Sequence, residues 1–312
     1  MNVSEPQTAD PGAQQAWTQR PERSNRTMLR FISWISLRLG RAPARFILAG
    51  ISLYFLTFSP AAKAASRTYL RRVLGREPGL ADLFRHFHSF ASTVHDRIFL
   101  LNGRFDLFEI EVHGKAVIDE VLATGRGAFL MGAHMGSFEV VRAIGRNQPG
   151  LKVAMVMYEA NARKLNAALA AINPAAMQEI IPLGQIDSMM RVQASLDDGV
   201  ALGMLGDRTL SGDPTLRLPF LGADAGFPLG PMRLAAMLKR PVLFMSGLYL
   251  GGNRYAIHFE RLADFSTLER SARDAAIRTA IEAYAAGLER HCRAAPYNWF
   301  NFFDFWRPKD TA

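Results

Sequence analysis

The sequence predicts an α/β fold in which a mostly parallel central sheet is flanked by helices. After residue 101, short apolar runs typical of buried strands alternate with helical patterns, and this order is typical of parallel sheets covered on both faces. Hydrophobic residues make up 49% and charged residues 21% of the chain, which indicates a packed core. The length of 312 residues is sufficient for one large catalytic domain.

The predicted strands are apolar runs bounded by glycine, proline or polar residues, at 128–133, 153–157, 179–182, 201–205, 242–247 and 255–260. The predicted helices are 115–123, 137–146, 162–172, 188–196, 231–238 and 267–291. Before them, large apolar residues recur every three to four positions over 79–101, which indicates an amphipathic helix. Ser266 and Glu269 form a predicted capping box at the start of the last helix.

Three segments are expected along the chain: a disordered tail over 1–27, a basic and apolar membrane-association segment over 28–78, and a catalytic domain over 79–306. The uncharged run 46–62 contains 17 residues, at the low edge of the length that spans a bilayer. We interpret it as a short anchor, either a marginal span or a re-entrant hairpin. An ordinary buried helix is the alternative.

The positive charge of the chain is concentrated in its N-terminal third. Residues 1–104 contain 15 Lys and Arg against 6 Asp and Glu, whereas residues 105–312 contain 22 of each. A basic segment suits nucleic acid or an anionic membrane surface. The interleaved apolar stretches favour the membrane, and without a nucleic-acid-binding motif we expect no nucleic-acid partner.

No cofactor, metal ion or intramolecular disulfide is expected from the sequence. Cys292 is the only cysteine, so it has no partner within the chain. His86 and His88 lie two positions apart in a helical pattern, and residues at that spacing point to different faces of a helix. They are therefore a poor pair of metal ligands.

The stretch 127–139 reads Gly-Ala-Phe-Leu-Met-Gly-Ala-His-Met-Gly-Ser-Phe-Glu, a strand followed by a glycine-containing turn and a helix. His134 falls at the carboxyl end of the strand, where open α/β sheets bind their ligands. Gly136 and its small neighbours allow a substrate or a backbone segment to approach closely. Glu139 follows on the first helical turn, and we expect its carboxylate to reach back to the imidazole. His134 and Glu139 are the predicted catalytic residues.

An imidazole supported by a carboxylate can remove the proton of a hydroxyl group as that hydroxyl attacks a carbonyl carbon. The carboxylate fixes the imidazole tautomer and stabilises the imidazolium that forms. Backbone N–H groups at the start of the following helix are candidate donors to an oxyanion. The alternative is that His134 is a hydrogen-bonded packing residue at a strand end.

Over roughly residues 28–306 the chain resembles the late acyltransferases of lipid A biosynthesis, within the wider group that shares the H-x4-[DE] signature with the glycerolipid acyltransferases. The resemblance rests on the apolar N-terminal segment and on stretch 127–139. It also rests on Gly-Asp-Arg-Thr at 206–209, Pro-Phe-Leu-Gly at 219–222, Phe-Pro-Leu-Gly-Pro at 227–231 and Tyr-Asn-Trp-Phe-Asn-Phe-Phe-Asp-Phe-Trp at 297–306.

This resemblance implies a glycerolipid acyltransferase-like fold and an acyltransferase domain over 79–306. It implies transfer of a fatty acyl chain from acyl carrier protein, less often from coenzyme A, to a hydroxyl of a lipid acceptor at the cytoplasmic face of the bacterial inner membrane. His134 and Glu139 correspond to the catalytic residues. Asp207 and Arg208 correspond to a polar block in which Arg208 can bind a phosphate and Asp207 can orient it; a purely structural ion pair is the alternative.

The chain also departs from the lipid A enzymes. They place an arginine shortly after the tyrosine of the second strand, whereas this chain has Tyr158 and Glu159 and only then Arg163 and Lys164. We predict that Gly136, Arg163 and Lys164 help to bind substrate. The aromatic ending is more similar to that of relatives that acylate other lipids, so the acceptor is left open between a lipid A precursor and another glycolipid or lysolipid.

The sequence leaves alternatives open for three further features. The whole chain could be a non-catalytic lipid-binding member of the fold, or a hydrolase of acyl esters. Segment 219–231 could be a loop that lines an acyl groove or a rigid connection packed under the next helix. The aromatic residues at 299–306 could close the core or lie at the membrane interface, where tryptophan is favoured, and core closure is the preferred interpretation.

Overall fold

The computed structural model describes residues 26–141, 152–173, 180–184, 187–208 and 213–306. The central sheet has seven strands. In chain order they are β1 (Glu109–His113), β2 (Ala128–Gly132), β3 (Val153–Tyr158), β4 (Ile180–Leu183), β5 (Ala201–Leu205), β8 (Pro241–Gly251) and β9 (Arg254–Asp264), and a separate hairpin contains β6 (Thr215–Phe220) and β7 (Ala223–Pro228).

The strands of the sheet lie in the order β1-β9-β8-β2-β5-β3-β4. All neighbouring pairs are parallel except β8 and β9, which are antiparallel. β2 therefore lies in the middle of the sheet, between β8 and β5. This arrangement confirms the predicted mostly parallel sheet flanked by helices.

Nine helices are bounded within the described residues. They are α1 (Arg26–Leu39), α2 (Arg41–Phe58), α3 (Pro60–Leu74), α4 (Leu80–Leu101), α5 (Lys115–Ala123), α6 (Glu159–Ile172), α7 (Ser188–Asp197), α8 (Gly230–Met237) and α9 (Arg273–Ala294). Residues 138–141, directly after the turn that contains His134, are also helical. The predicted continuation of that helix to residue 146, and the predicted strand residue 179, lie outside the described residues, as does the tail 1–25.

Alternating side chains of the strands build a separate core on each face of the sheet. On one face Phe129 and Met131 pack with Tyr284 and Leu288 of α9 and with Trp299 of the C-terminal segment. On the other face, residues of β2, β8 and β9 pack with the C-terminal half of α4 and with α5. Both faces are covered, as expected for parallel strands that are apolar on both sides.

Two local predictions are corrected by the structure, and strand β1 was missed. Segment 219–231, left open between a groove-lining loop and a rigid connection, belongs largely to the β6–β7 hairpin and the start of α8. The last helix begins at Arg273, after a short 3-10 turn over Arg270–Ala272, so the capping box does not form. The Ser266 N–H donates instead to the Asp264 carboxylate at 2.9 Å, which ends β9 in a tight turn. β1 was missed because its side chains are only half-buried.

The C-terminal aromatic residues close the core, as the preferred interpretation expected. Trp299 is fully buried, and Phe300, Phe305 and Trp306 are at most 9% exposed. Trp299 makes edge-to-face contacts with Phe220, Phe305 and Trp306, an arrangement favoured by aromatic rings. The β6–β7 hairpin and the C-terminal segment therefore share one aromatic cluster.

The N-terminal helices expose an unusual amount of apolar surface. Twelve of the twenty large hydrophobic side chains that are exposed in the described residues lie between Phe31 and Phe58, including Phe46 at 83%. None of the described helices is by itself long and apolar enough to cross a bilayer. Taken together, α2 and α3 would meet that requirement, with a bend of 97° between them.

A buried ion pair attaches α2 to α4 and to the edge of the sheet. Arg41 donates from Nε and Nη2 to the two oxygens of Asp96 on α4, at 2.6 Å each, and Tyr255 Oη donates to Asp96 at 2.8 Å. Arg45 donates to the Gly252 carbonyl and to Tyr249 Oη. Such bidentate pairing fixes orientation as well as distance, so α2 is held against the β8–β9 turn.

Candidate active site

His134 lies in a tight turn at the carboxyl end of β2, as predicted. Its carbonyl accepts a hydrogen bond from the Phe300 N–H at 2.7 Å, and the next residue, Met135, forms an isolated bridge with Trp299. The Ser137 N–H donates to the Gly247 carbonyl at 2.8 Å. The turn is therefore held on one side by Gly247, within β8, and on the other by the C-terminal segment.

Gly136 allows the turn to pack against β8. Its φ angle is 60°, and a Cβ atom there would lie 1.9 Å from the Gly247 carbonyl oxygen, so no other residue fits. Its N–H donates to the Asn298 carbonyl at 2.9 Å. This close approach is to backbone, and because the N–H groups of Gly136 and Ser137 are both bonded, neither is free to bind an oxyanion.

The side chain that contacts the imidazole is Asp207, which follows β5. Asp207 Oδ1 lies 2.9 Å from His134 Nδ1, and Asp207 Oδ2 accepts the backbone N–H of His134 at 2.9 Å. The indole N–H of Trp299 also donates to Oδ2, at 2.9 Å. The parallel register Gly132↔Leu205 explains the contact, because continuing it by two residues brings positions 134 and 207 side by side.

The electrostatics of this pair suit a general base. Burial raises the pKa of the Asp207 carboxyl, but the charge and hydrogen bonds of His134, with help from Arg208, hold it well below its usual range. The ionised carboxylate can only accept, so His134 Nδ1 carries the proton. Nε2 is then the basic nitrogen; it makes no hydrogen bond to the described residues, and 32% of the side chain is exposed.

Glu139 does not make the contact with His134 that the spacing predicted. Its buried carboxylate forms an ion pair with Arg97 of α4 at 2.7 Å and accepts a hydrogen bond from Ser137 Oγ at 3.4 Å. The helix begins only at residue 138, so Glu139 lies in its first turn beside α4. Asp207, from the neighbouring strand, occupies the place beside the imidazole.

Arg208 lies beside the pair but forms no ion pair of its own among the described residues. Its Nη2 donates to the Phe300 carbonyl at 3.3 Å, its guanidinium lies 5.2 Å from the ring centre of Phe303, and its buried Nε has no partner. Burial lowers the pKa of this guanidinium, and the Asp207 carboxylate raises it in part. A partly buried guanidinium that forms no ion pair among the described residues is suited to bind an anion.

Two other predicted binding residues lie on α6. Arg163 is exposed on this helix, whose start follows the carboxyl end of β3. The side chain of Lys164 lies outside the described atoms. Both remain predicted substrate-binding residues, and both belong to the same edge of the sheet as His134, because β3 and β5 are parallel neighbours.

Hydrogen bonds through His86 connect the backbone of Trp299 to Ser66 of α3. The Trp299 carbonyl lies 2.9 Å from His86 Nε2, and His86 Nδ1 lies 2.8 Å from Ser66 Oγ. Since a carbonyl can only accept, Nε2 carries the His86 proton and Nδ1 accepts from the serine. Burial lowers the pKa of His86 to about 4, so this histidine is neutral. Its role is structural, and the sequence contains no signal for it beyond the aromatic residues nearby.

Comparison with known proteins gives the family. The profile of the bacterial lipid A biosynthesis acyltransferase family matches residues 26–308. A comparison with curated proteins gives no match. Because the matched range includes the N-terminal helices, the whole sheet and the C-terminal segment, the chain belongs to the bacterial lipid A biosynthesis acyltransferase family and is an enzyme that transfers acyl groups.

Proposed function

We propose that the protein is a membrane-associated O-acyltransferase that moves a fatty acyl chain from acyl carrier protein, or from coenzyme A, to a hydroxyl of a lipid acceptor. The observation that carries the proposal is the pair His134 and Asp207, with Nδ1 protonated and Nε2 free at the edge of the sheet. The acceptor is a lipid A precursor or another glycolipid or lysolipid.

In the proposed reaction, His134 Nε2 removes the proton of the acceptor hydroxyl while its oxygen attacks the thioester carbonyl. The tetrahedral intermediate then expels the thiolate, and the imidazolium returns the proton to that sulfur. The ester bond forms, the thioester bond breaks, and the histidine ends in its starting state. Asp207 holds the proton on Nδ1, so that Nε2 can accept the proton of the hydroxyl, and it stabilises the imidazolium without itself accepting the proton.

Glu139 has a different proposed role from the one that its spacing predicted. Through its ion pair with Arg97 it fixes the first turn of the helix after His134, and thereby the position of the imidazole. It remains a predicted catalytic residue. By fixing the first helical turn it would also position the N–H groups beyond Ser137, which are candidate donors to the oxyanion. Its contribution is expected to be smaller than that of Asp207, which contacts the ring.

We propose that Arg208 binds a phosphate group of the acceptor or of the phosphopantetheine arm. Its partly buried guanidinium, which burial partly desolvates, favours a charged partner. Arg163 and Lys164 on the adjacent helix would extend this positive region. Segments after β3 and β5 would then bind the polar part of the substrates while β2 supplies the base.

Membrane association is proposed for α1 and α2. Their exposed side chains include Phe31, Trp34, Phe46, Phe55 and Phe58, and burying each such ring in lipid contributes about 1.5–3 kcal/mol. The surplus of Lys and Arg in this part of the chain adds attraction to anionic lipid headgroups. Given the proposed donors, we place the protein at the cytoplasmic face of the bacterial inner membrane.

Lipid profiling by mass spectrometry tests this function. A strain that lacks the protein is compared with the same strain carrying the intact chain or the His134→Ala variant. We expect one lipid class to gain an acyl chain only with the intact protein. Free fatty acid without an acylated lipid would instead indicate a hydrolase, and unchanged lipids with retained lipid binding would indicate a non-catalytic binding protein.

A further inference from the structure

Two histidines and a glutamate converge on the face of the sheet that carries α9. His258 and Glu260 lie two positions apart on β9, so both side chains project from the same face. His291 of α9 lies over them, with Nε2 2.8 Å from Glu260 Oε1. One ligand atom from each of His258, Glu260 and His291 lies within 4.8 Å of the other two.

We propose that these three residues bind a divalent transition metal ion of the zinc class. Ions of this class prefer sites that combine imidazole nitrogen with carboxylate oxygen, whereas calcium and magnesium prefer sites made of oxygen ligands alone. Metal–ligand bonds are about 2.0–2.2 Å long, so three ligand atoms within 4.8 Å of one another need only small side-chain rotations. The fourth position is left to water or to a neighbouring side chain.

The surroundings of the cluster orient its ligands. Phe244 stacks on the His291 ring at 5.0 Å, and His113 stacks on the His258 ring at 4.6 Å. Arg290 pairs with the second carboxylate oxygen of Glu260, which leaves Oε1 directed towards His291. Such outer contacts are the usual means by which proteins fix metal ligands. Because Arg290 offsets the charge of Glu260, the imidazoles must supply most of the affinity.

The proposed metal site is separate from the His134–Asp207 pair. His258 pairs with Ser246 of β8, and β8 lies between β9 and β2, so the cluster is two strands, about 10 Å, from β2. Its proposed role is to hold α9 against the sheet. The same helix carries Tyr284, whose hydroxyl donates to the Gly132 carbonyl at the end of β2 at 2.8 Å. A metal ion that fixes α9 would therefore also stabilise the end of β2, which precedes His134.

The test uses the full-length protein, freed of affinity tag and stripped of metal by a chelator. Zn²⁺ is titrated by calorimetry, and Co²⁺ is titrated with its visible absorption spectrum as the readout. We expect one ion per chain. We also expect at least a tenfold loss of affinity in His258→Gln and in Glu260→Gln, whereas His88→Gln, which removes a half-buried histidine elsewhere, keeps the wild-type affinity.

Thermal unfolding supplies a second readout, because an ion that binds only the folded chain raises the melting temperature. The rise with Zn²⁺ should be the same in wild type and His88→Gln and smaller in His258→Gln and Glu260→Gln, because weaker binding stabilises the folded chain less. The proposal is overturned if no stoichiometric ion binds, or if both cluster variants bind as tightly as wild type. If His258→Gln fails to fold, the affinity of Glu260→Gln decides the test. The Glu260 side chain is 32% exposed, so its replacement should be tolerated by the fold. The outcome does not depend on the acceptor or donor of the transfer reaction.

Discussion

Asp207 holds His134 at two points: one carboxylate oxygen lies 2.9 Å from Nδ1 and the other accepts the backbone N–H at 2.9 Å. The contact therefore fixes the ring and the turn that carries it at the same time. Both residues come from the carboxyl ends of adjacent parallel strands, which is where open α/β sheets assemble their sites. The following predictions derive mainly from this arrangement and from its support by Trp299.

Replacing Asp207 with Asn should be far more damaging to turnover than replacing Glu139 with Gln. An amide at position 207 can offer an N–H to Nδ1 and so select the wrong imidazole tautomer, an effect that lowers kcat by about 10²- to 10⁴-fold. Glu139→Gln keeps a polar contact with Arg97, and a decrease below about tenfold is expected. Steady-state kinetics with an acyl thioester donor measures both.

The exposed Asp106, which pairs with Arg104, provides the matched control. Asp106→Asn should leave kcat within about twofold of wild type, since isolated surface pairs contribute little to the fold. If Glu139→Gln were the more damaging of the two site variants, the carboxylate predicted from the H-x4-E spacing would be the functional one, and the assignment of Asp207 would be wrong.

Trp299→Phe should weaken the fold and slow turnover together. The substitution removes the indole N–H donated to the Asp207 carboxylate, and a hydrogen bond to a charged group contributes about 1.5–3 kcal/mol. Denaturant unfolding should show a loss of at least that size. Trp306→Phe is the control, because its indole donates to the neutral Phe220 carbonyl. Trp306→Phe should lose less stability than Trp299→Phe and should leave kcat unchanged. If both variants lowered kcat equally, Trp299 would have no specific role in positioning Asp207.

Stability should fall with acid partly because of His86. Its folded-state pKa is about 4, below the ordinary value of 6.5, so between these pH values the unfolded chain binds a proton that the native chain does not. The contribution is fully present above about pH 6.5, and it is lost on acidification at up to about 1.4 kcal/mol per pH unit. His86→Gln should therefore show a shallower decrease of unfolding free energy from pH 6.5 to 4.

Trp306→Phe serves as the control for that pH series, since it changes a buried side chain that carries no titratable group. Its pH slope should match that of wild type. A wild-type slope in His86→Gln would show that other groups account for the acid sensitivity. Chemical denaturation at several pH values measures all three proteins.

Membrane binding should depend on the exposed rings of α2. Phe46 and Phe58 are 83% and 68% exposed, and each ring contributes about 1.5–3 kcal/mol when it enters an apolar phase, or about 10- to 100-fold in affinity. The double variant Phe46→Asp, Phe58→Asp should sediment with anionic vesicles at least 100-fold more weakly. Leu250→Asp, which changes an exposed residue on β8, should bind as wild type does; equal binding by the double variant would place the membrane contact elsewhere.

The sequence pattern was sufficient for most of the sheet. The predicted strand 201–205 coincides with β5 and the predicted helix 115–123 coincides with α5, because both have clear periodicity and clear ends. The β6–β7 hairpin was missed because its two prolines and two glycines resemble a loop, whereas its pairing and its burial against the C-terminal aromatic residues depend on tertiary contacts. Half-buried β1 has too little apolar character to be separated from its surroundings.

Sequence analysis identified the main residues of the candidate site but not which of them contact each other. His134 was identified from its position after a core strand and Asp207 from the family resemblance, but spacing along the chain favoured Glu139 as the partner of the imidazole. Only the knowledge that β2 and β5 are neighbours in register brings Asp207 to the ring. Trp299 and Arg97 were missed as supporting residues because their contacts join positions far apart in the sequence.

Acyl transfer by His134→Ala tests the central claim most directly. Purified wild-type and variant proteins, both bound to lipid vesicles, are supplied with labelled acyl thioester and an extract of candidate acceptor lipids. With the base removed, the rate of lipid acylation should fall by at least about 10²-fold while vesicle binding stays close to that of wild type. The variant should remain folded, with a lower melting temperature because the Asp207 carboxylate loses its contact with the ring. Acylation at the wild-type rate by the folded, vesicle-bound variant would show that His134 is not the base.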